Sequence, residues 1–250
     1  MWVRFLGTAA GVPSVGRECS SVMLALNDVI YLIDAGASVI HKMCESDISV
    51  DKIKAVFFTH SHLDHMYGLA DIIKTVNERE QSSDAVDYYF PEKFAIDAWR
   101  KYFTETVGAL SEKLNRFHVY ESGVIFSDEN IKVVAIPNAH LKRQGRPSYS
   151  FMVEAEGKRL VFSGDLSQEL SEGDFPKAAK EAQTDLLVLE YAHFDIEDML
   201  PHLEECNLKR LCFSHISRPG EKLPLIKALS DSGRFSFSVS AVSDGDEIEI

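Results

Sequence analysis

The stretch Thr59-His60-Ser61-His62-Leu63-Asp64-His65 holds three of the chain's 9 histidines together with an aspartate. Neutral imidazole suits zinc and related divalent ions, and a carboxylate adds the charge needed to hold a second ion. A His-x-His pair leaving a strand aims both rings at one ion, while Asp64 and His65, one turn further on, face another. A plainer use of the same residues is a helix cap, since Asp64 can cap a helix that begins near His65. Four potential ligands packed this closely favour the metal. A two-metal centre needs further ligands, and three others stand at suitable places. His140 follows Pro137-Asn138-Ala139, Asp165 sits in Ser163-Gly164-Asp165, and His215 follows Leu211-Cys212-Phe213-Ser214. All three fall at expected strand ends, the sheet edge where α/β folds place their sites. Asp165 is the natural bridging carboxylate.

Such ligands must be delivered by a scaffold, and the hydrophobic pattern supplies one. Trp2–Leu6, Ser20–Leu26 and Val29–Ile33 read as strands, with Asn27-Asp28 as a tight hairpin turn. Lys54–Phe58 is a short apolar run suited to a buried strand, directly before the histidine motif. Helical spacing marks Val39–Cys44 and Gly68–Glu80, the latter with Leu69, Ile72, Ile73 and Val76 on one face. Asp87–Phe90 reads as a strand, and Pro91 begins a helix reaching about Thr106. Further strands are expected at Phe117–Tyr120, Ile131–Ile136, Tyr149–Ala155, Arg159–Ser163, Leu186–Leu189, Leu211–Ser214, Phe235–Val239 and Glu247–Ile250. Short strands alternating with helices predict a layered α/β arrangement of two mixed sheets with helices outside. The chain carries no repeat or low-complexity linker, so residues 1–250 are expected to form a single domain, with an insertion of helix and strands at about 77–121.

Composition narrows the function classes. The chain has 250 residues, 45% of them hydrophobic and 26% charged, which suits a globular protein with a sizeable core. No run of 18 apolar residues offers a membrane span, and Met1-Trp2-Val3-Arg4-Phe5-Leu6-Gly7 enters a strand pattern without a signal-peptide core. A cytoplasmic protein with no membrane partner is the expectation. The net charge of −13 disfavours a stable nucleic-acid complex, because an acidic body repels a polyanion. Cys19, Cys44, Cys206 and Cys212 show neither a metal-type pair nor a disulfide framework.

The sequence resembles the metallo-β-lactamase-fold hydrolases in His60-x-His62-x-Asp64-His65, in His140, in Asp165 after Ser163-Gly164, and in His215. The resemblance implies an αββα sandwich of two mixed β-sheets flanked by helices, with a dinuclear metal site at one sheet edge. Carried over residue by residue, it gives His60, His62 and His140 to one metal, Asp64, His65 and His215 to the other, and Asp165 to both. The ions implied are two divalent metals, zinc first and Mn2+ or Fe2+ as alternatives. Phe5-Leu6-Gly7-Thr8-Ala9-Ala10-Gly11, Cys19-Ser20-Ser21 and Leu32-Ile33-Asp34-Ala35-Gly36 resemble the opening of ribonuclease Z and its small phosphodiesterase relatives. Gly7 and Gly11 also serve simple turns. Two features depart from ribonuclease Z. Only residues 141–164 separate His140 from Asp165, leaving no room for the arm with which that enzyme clamps tRNA. Its His-Glu-Ala-Thr stretch corresponds to Leu189-Glu190-Tyr191-Ala192, so the glutamate is kept, the histidine is not, and His193 stands three residues later.

Two divalent ions about 3.5–4 Å apart lower the pKa of a bridging water to about 7, giving a hydroxide nucleophile. Asp64 would orient it, and His193 is the candidate acid for the leaving oxygen, with a structural role or a pairing with Glu190 as the plainer reading. Lys142, Arg143 and Arg146 follow His140; Arg143 and Arg146 are candidates to grip a phosphate or carboxylate, unless they are simply solvated. His41, His118 and His202 read as structural or exposed. Phe90, Phe94, Trp99, Tyr102 and Phe103 read as core or as the lining of a substrate groove. The expected function is therefore a metal-dependent phosphodiesterase on a small or nucleotide-like substrate. A carboxylic ester, lactone or thioester hydrolase is the alternative, with Tyr149 or Tyr191 near the metals of a lactonase. A metal-binding regulatory protein is the third reading. Members of the family are often dimers, so the resemblance allows a homodimer.

Overall fold

Apolar residues on both faces of most strands dictate a four-layer stack. In β3 (Val29–Ile33), Tyr31 and Ile33 point to one buried cluster while Ile30 and Leu32 point to another. Strands covered on both faces read as near-continuous apolar runs, and this one does. The computed structural model describes residues 1–79, 84–168, 170 and 174–250.

The first sheet contains β1 (Trp2–Gly7), β2 (Ser21–Leu26), β3, β4 (Ile53–Phe57), β5 (Val86–Phe90), β6 (Asn115–Val119) and β14 (Glu247–Glu249), in the order β14-β1-β2-β3-β4-β5-β6. The second contains β7 (Gly123–Ser127), β8 (Ile131–Pro137), β9 (Tyr149–Ala155), β10 (Lys158–Phe162), β11 (Leu186–Tyr191), β12 (Arg210–Ile216) and β13 (Ser238–Ala241), in the order β13-β12-β11-β10-β9-β8-β7. Both sheets are mixed: β1, β2 and β3 pair antiparallel and β3, β4, β5 and β6 parallel, while β7 to β10 pair antiparallel and β10 to β13 parallel.

Phe5, Leu24, Tyr31 and Phe57 of the first sheet meet Val133, Phe151, Leu160 and Val188 of the second in a central core. The outer face of the first sheet packs on α1 (Val39–Glu45), α2 (Leu69–Asn77) and α3 (Lys93–Thr106). That of the second packs on α4 (Ala178–Glu181), α5 (Ile196–Glu204) and α6 (Pro219–Asp231). The αββα sandwich expected from the sequence is the observed architecture. Among the described residues, no helix is long and apolar enough to cross a membrane.

The local expectations hold where the pattern is strongest. Asn27 and Asp28 have φ of 50° and 62°, the left-handed pair that a tight hairpin turn between twisted strands requires. The α2 helix buries Leu69, Ile72, Ile73 and Val76 as its spacing predicts but ends at Asn77, and Glu80 lies outside the described residues. Two elements differ. The strand expected at Phe235–Val239 is Ser238–Ala241, because Phe235 and Phe237 stack on one another at 4.8 Å just before it. The edge strand β7 has a half-exposed, weakly alternating sequence and gave no signal.

A candidate dinuclear metal centre

The first four candidate ligands leave the C-terminal end of β4. Phe58 and Thr59 continue from the strand, His60 and His62 follow, and a 3-10 turn at Leu63–His65 brings Asp64 and His65 round. His140 follows β8, Asp165 follows β10, and His215 lies near the end of β12 with φ of 48°. The helix-cap reading of Asp64 gives way: its Oδ2 accepts the Gly11 amide at 3.0 Å and lies 3.6 Å from His65 Nε2.

The arrangement centres on Asp165, 3% exposed. Its Oδ2 stands 3.8 Å from His60 Nε2 and 3.7 Å from His140 Nε2, and its Oδ1 is 3.2 Å from Nε2 of both His65 and His215. His140 Nε2 is in turn 3.2 Å from His62 Nδ1, and His215 Nε2 is 4.0 Å from Asp64 Oδ2. Two ligand clusters result, His60-His62-His140-Asp165 and Asp64-His65-His215, each with ligand atoms within 4.8 Å of one another. All seven candidate metal ligands meet where strands of the two sheets end.

The donor set fits divalent ions. His60 Nε2, His65 Nε2 and Asp165 Oδ1, which face the cluster, are buried without a hydrogen-bond partner, although buried polar atoms ordinarily have one. Burial, reinforced by neighbouring imidazoles, holds His60 well below the usual histidine range and pulls His62 and His140 down with it. Their lone pairs are thus free of protons at neutral pH. Asp165 is held well below the usual carboxylate range: burial opposes ionisation, but His215 and His65 beside it prevail.

Residues behind the ligands fix the ring orientations. Asp34 Oδ2 is 2.8 Å from His65 Nδ1, and its Oδ1 accepts the Thr59 amide at 2.8 Å. The Thr59 hydroxyl lies 3.1 Å from His60 Nδ1, and the Leu166 carbonyl lies 3.2 Å from His140 Nδ1. Asp174 accepts the amides of Ala139 and Ser167, stapling the segments that carry His140 and Asp165. Glycine is required at two close approaches. A Cβ on Gly36 would lie 1.8 Å from the Asp64 carbonyl oxygen, and one on Gly164, whose φ is 58°, would lie 2.6 Å from the Tyr149 carbonyl oxygen.

His193 enters from the turn after β11. Its Nδ1 is 2.7 Å from Glu190 Oε1, and its Nε2 faces Asp165 Oδ2 at 3.9 Å. Burial disfavours the imidazolium, but the Glu190 hydrogen bond and charge, with Asp165, push its pKa up to about 9. Glu190 also accepts the amides of Leu166, Ala192 and His193. Beside His193 opens a cavity of about 210 Å³ lined by His140, Lys142, Arg143, Gln144, Ser167 and Gln168, among others.

The remaining candidates separate. Arg143 lines this cavity, whereas Arg146 makes a bidentate contact with Glu92 at 3.1 and 2.8 Å and lies over the Phe94 ring. Phe90 and Phe103 are core, Trp99 packs against it, and Phe94 and Tyr102 are exposed. Tyr149 belongs to the central core and Tyr191 to the core beneath the second sheet. His118 pairs with Asp87 at 2.6 Å, His41 is exposed beside Glu45, and His202 stacks on Phe175. Asp34 and Asp174 escaped the sequence reading. An aspartate after a strand looks like turn chemistry, and the only signal for Asp34 is its place just before Ala35-Gly36.

With this geometry, the likenesses to other proteins have a context. The family model described as Anti-Pycsar protein Apyc1 matches residues 1–199. Ribonuclease Z of Synechococcus sp. (strain CC9311) is 30% identical over 177 residues, 68% of this chain and 54% of that protein. The chain spans about half the length of the curated relatives it matches. The metallo-beta-lactamase fold protein YhfI from Bacillus subtilis superposes with a TM-score of 0.77 at 17% identity, covering 99% of each chain. Human tRNase Z, short form, gives 0.75 at 23% identity, covering 100% of this chain and 99% of that one. The fold is the metallo-β-lactamase fold.

Proposed function

Because the chain belongs to the family described as Anti-Pycsar protein Apyc1, we propose that it is a metal-dependent phosphodiesterase acting on a small or nucleotide-like substrate. The observation that carries this reading is the sharing of one buried carboxylate: Asp165 turns Oδ1 toward His65 and His215, and Oδ2 toward His60, His140 and His193. A ribonuclease among the relatives supports phosphodiester chemistry. The cavity, about 210 Å³, lies below the usual range for drug-sized ligands and suits a small group.

His60, His62, His140 and Asp165 would hold one divalent ion, and Asp64, His65, His215 and Asp165 the other. When bound, such ions, zinc first among the candidates, activate water at neutral pH and neutralise charge developing on phosphoryl oxygens. The chain's own groups do the rest. Asp64, anchored by the Gly11 amide, orients the attacking water. Arg143 and Lys142 in the cavity wall attract the anionic substrate. His193, with Nδ1 held by Glu190, presents Nε2–H to the leaving oxygen. Residues 1–250 read as one catalytic domain with an insertion at 77–121, none of whose described residues lines the cavity, working in the cytoplasm as a monomer or homodimer.

The test is turnover of a chromogenic aryl phosphodiester beside a matched carboxylate ester and a lactone, with metal-loaded, chelated and His193→Ala protein. Chelator-sensitive turnover of the aryl phosphodiester is the expected result, and on a companion diester with an alkyl leaving group, whose oxygen needs the proton, the variant should lose about 10²- to 10⁴-fold. Turnover of the ester or lactone alone would transfer the site to acyl chemistry. Binding of metal with no turnover of any substrate would leave a regulatory metal protein.

A further inference from the structure

Lys222 is 4% exposed, yet its ammonium meets main-chain oxygens rather than a counter-ion. Nζ donates to the carbonyls of Tyr191 at 3.1 Å, Ala192 at 3.0 Å and Phe194 at 3.5 Å, and lies 4.2 Å above the Tyr191 ring. Among the described residues, no carboxylate oxygen lies within salt-bridge distance of it. Burying an ammonium is costly unless it is fully hydrogen-bonded, so a lysine at this place needs a reason.

The three carbonyls belong to one turn, and that turn carries His193. Its amide side is gathered by Glu190, which accepts from Ala192 at 2.6 Å and His193 at 3.3 Å. Its carbonyl side is gathered by Lys222, helped by the Ser217 hydroxyl at 3.2 Å from the Ala192 oxygen. An anion thus holds the N–H groups and a cation the C=O groups, with the imidazole between them. Lys222 stands in the first turns of α6 and Ser217 just after His215, so the turn is tied to the strand end that carries a candidate ligand.

We propose that Lys222 is a positioning residue for His193, fixing the 191–194 turn so that His193 Nε2 faces Asp165 and the cavity. The proposal rests on the reading of His193 as proton donor. A misplacement of about 1 Å in a reacting group costs on the order of 10²-fold in rate.

The experiment uses two phosphodiesters that share one esterifying group and differ in the other, a 4-nitrophenyl leaving group against an alkyl one. An alkoxide leaves only with a proton, whereas nitrophenolate leaves without one. Metal-loaded wild type, Lys222→Met, Lys222→Arg, His193→Ala and the double variant are compared, with metal content and circular dichroism recorded for each. Lys222→Met is expected to lower kcat on the alkyl diester by about 10- to 100-fold with KM little changed, and to lose far less on the nitrophenyl diester. In the His193→Ala background the same substitution should cost almost nothing more, and Lys222→Arg should recover most of the rate. Should Lys222→Met not fold, Lys222→Gln, which keeps two donors, carries the same comparison. Equal losses on both diesters, or full losses added on top of His193→Ala, would overturn the proposal and leave Lys222 as fold support. If His193→Ala itself did not discriminate between the leaving groups, the proton-donor reading would be the one to fall, and the proposal with it.

Discussion

Nδ1 of His65 stands 2.8 Å from Oδ2 of Asp34, a pairing that leaves Nε2 of the same ring turned toward Asp165 and Asp64. Carboxylates placed behind metal-binding imidazoles set the tautomer and raise ligand basicity, and losing one typically costs 10- to 100-fold in metal affinity. Asp34→Asn keeps the shape and an acceptor for the Thr59 amide but removes the charge. Its affinity for Zn2+ or Mn2+, measured by competition with a chromophoric chelator, is expected to fall by about that factor. Wild-type affinity would show that the pairing serves packing alone.

The contact between Gly36 and Asp64 predicts a stability effect. An added Cβ would meet the Asp64 carbonyl at 1.8 Å and the Ser20 carbonyl at 2.8 Å, and backbone cannot move aside as a side chain can. Gly36→Ala should cost about 3 kcal/mol and lower Tm by several degrees, with metal content falling too, because the 3-10 turn carrying Asp64 and His65 is displaced. Gly220→Ala, where a Cβ meets nothing within 4 Å, is the control and should move stability by less than about 0.5 kcal/mol.

Metal binding should release a proton from His65. Burial disfavours its imidazolium, but Asp165 and Asp34 outweigh burial and raise its pKa well above the ordinary value in the metal-free protein. A protonated ring cannot ligate, so metal and proton compete. Affinity should rise about tenfold per pH unit while His65 stays protonated in the metal-free state, and level off above that pKa. Calorimetry at pH 7 in buffers of different ionisation enthalpy should register about one proton released; a heat independent of buffer would contradict it.

Glu190→Gln tests the charge behind His193. The acid acts while protonated, so kcat should fall as pH rises through the His193 pKa. Burial lowers that pKa and the Glu190 carboxylate, 2.7 Å from Nδ1, raises it to about 9 in the metal-free protein. Without the negative charge the alkaline limb of kcat should move down by about 1 to 2 pH units. An unmoved limb would mean that another group donates the proton.

Much of this centre can be read from the chain because its chemistry is concentrated. His60, His62, Asp64 and His65 are neighbours in sequence, and His140, Asp165 and His215 stand where apolar runs stop. The sandwich is likewise legible in strands such as Tyr149–Ala155, whose apolar pattern is unambiguous. What escapes is whatever depends on distant partners. Arg146 looks like an anion grip until Glu92 is seen beside it. Lys222 resembles any helical lysine, because main-chain carbonyls leave no trace in side-chain identity. Helix α6 itself is disguised by Pro224 within it.

The ligands come from both halves of the sandwich, His60 to His65 from the first sheet and His140, Asp165 and His215 from the second. Neither half can complete the centre, so ion capture has to wait until the two sheets have docked face to face. Ions captured there would act as rivets: parting the sheets would strip them of ligands, so the slow breathing motions of the sandwich and the escape of metal would become one event. Exchange of the amide hydrogens along β4 and β12 should then slow together on loading, and occupancy becomes a record of how completely the chain has folded.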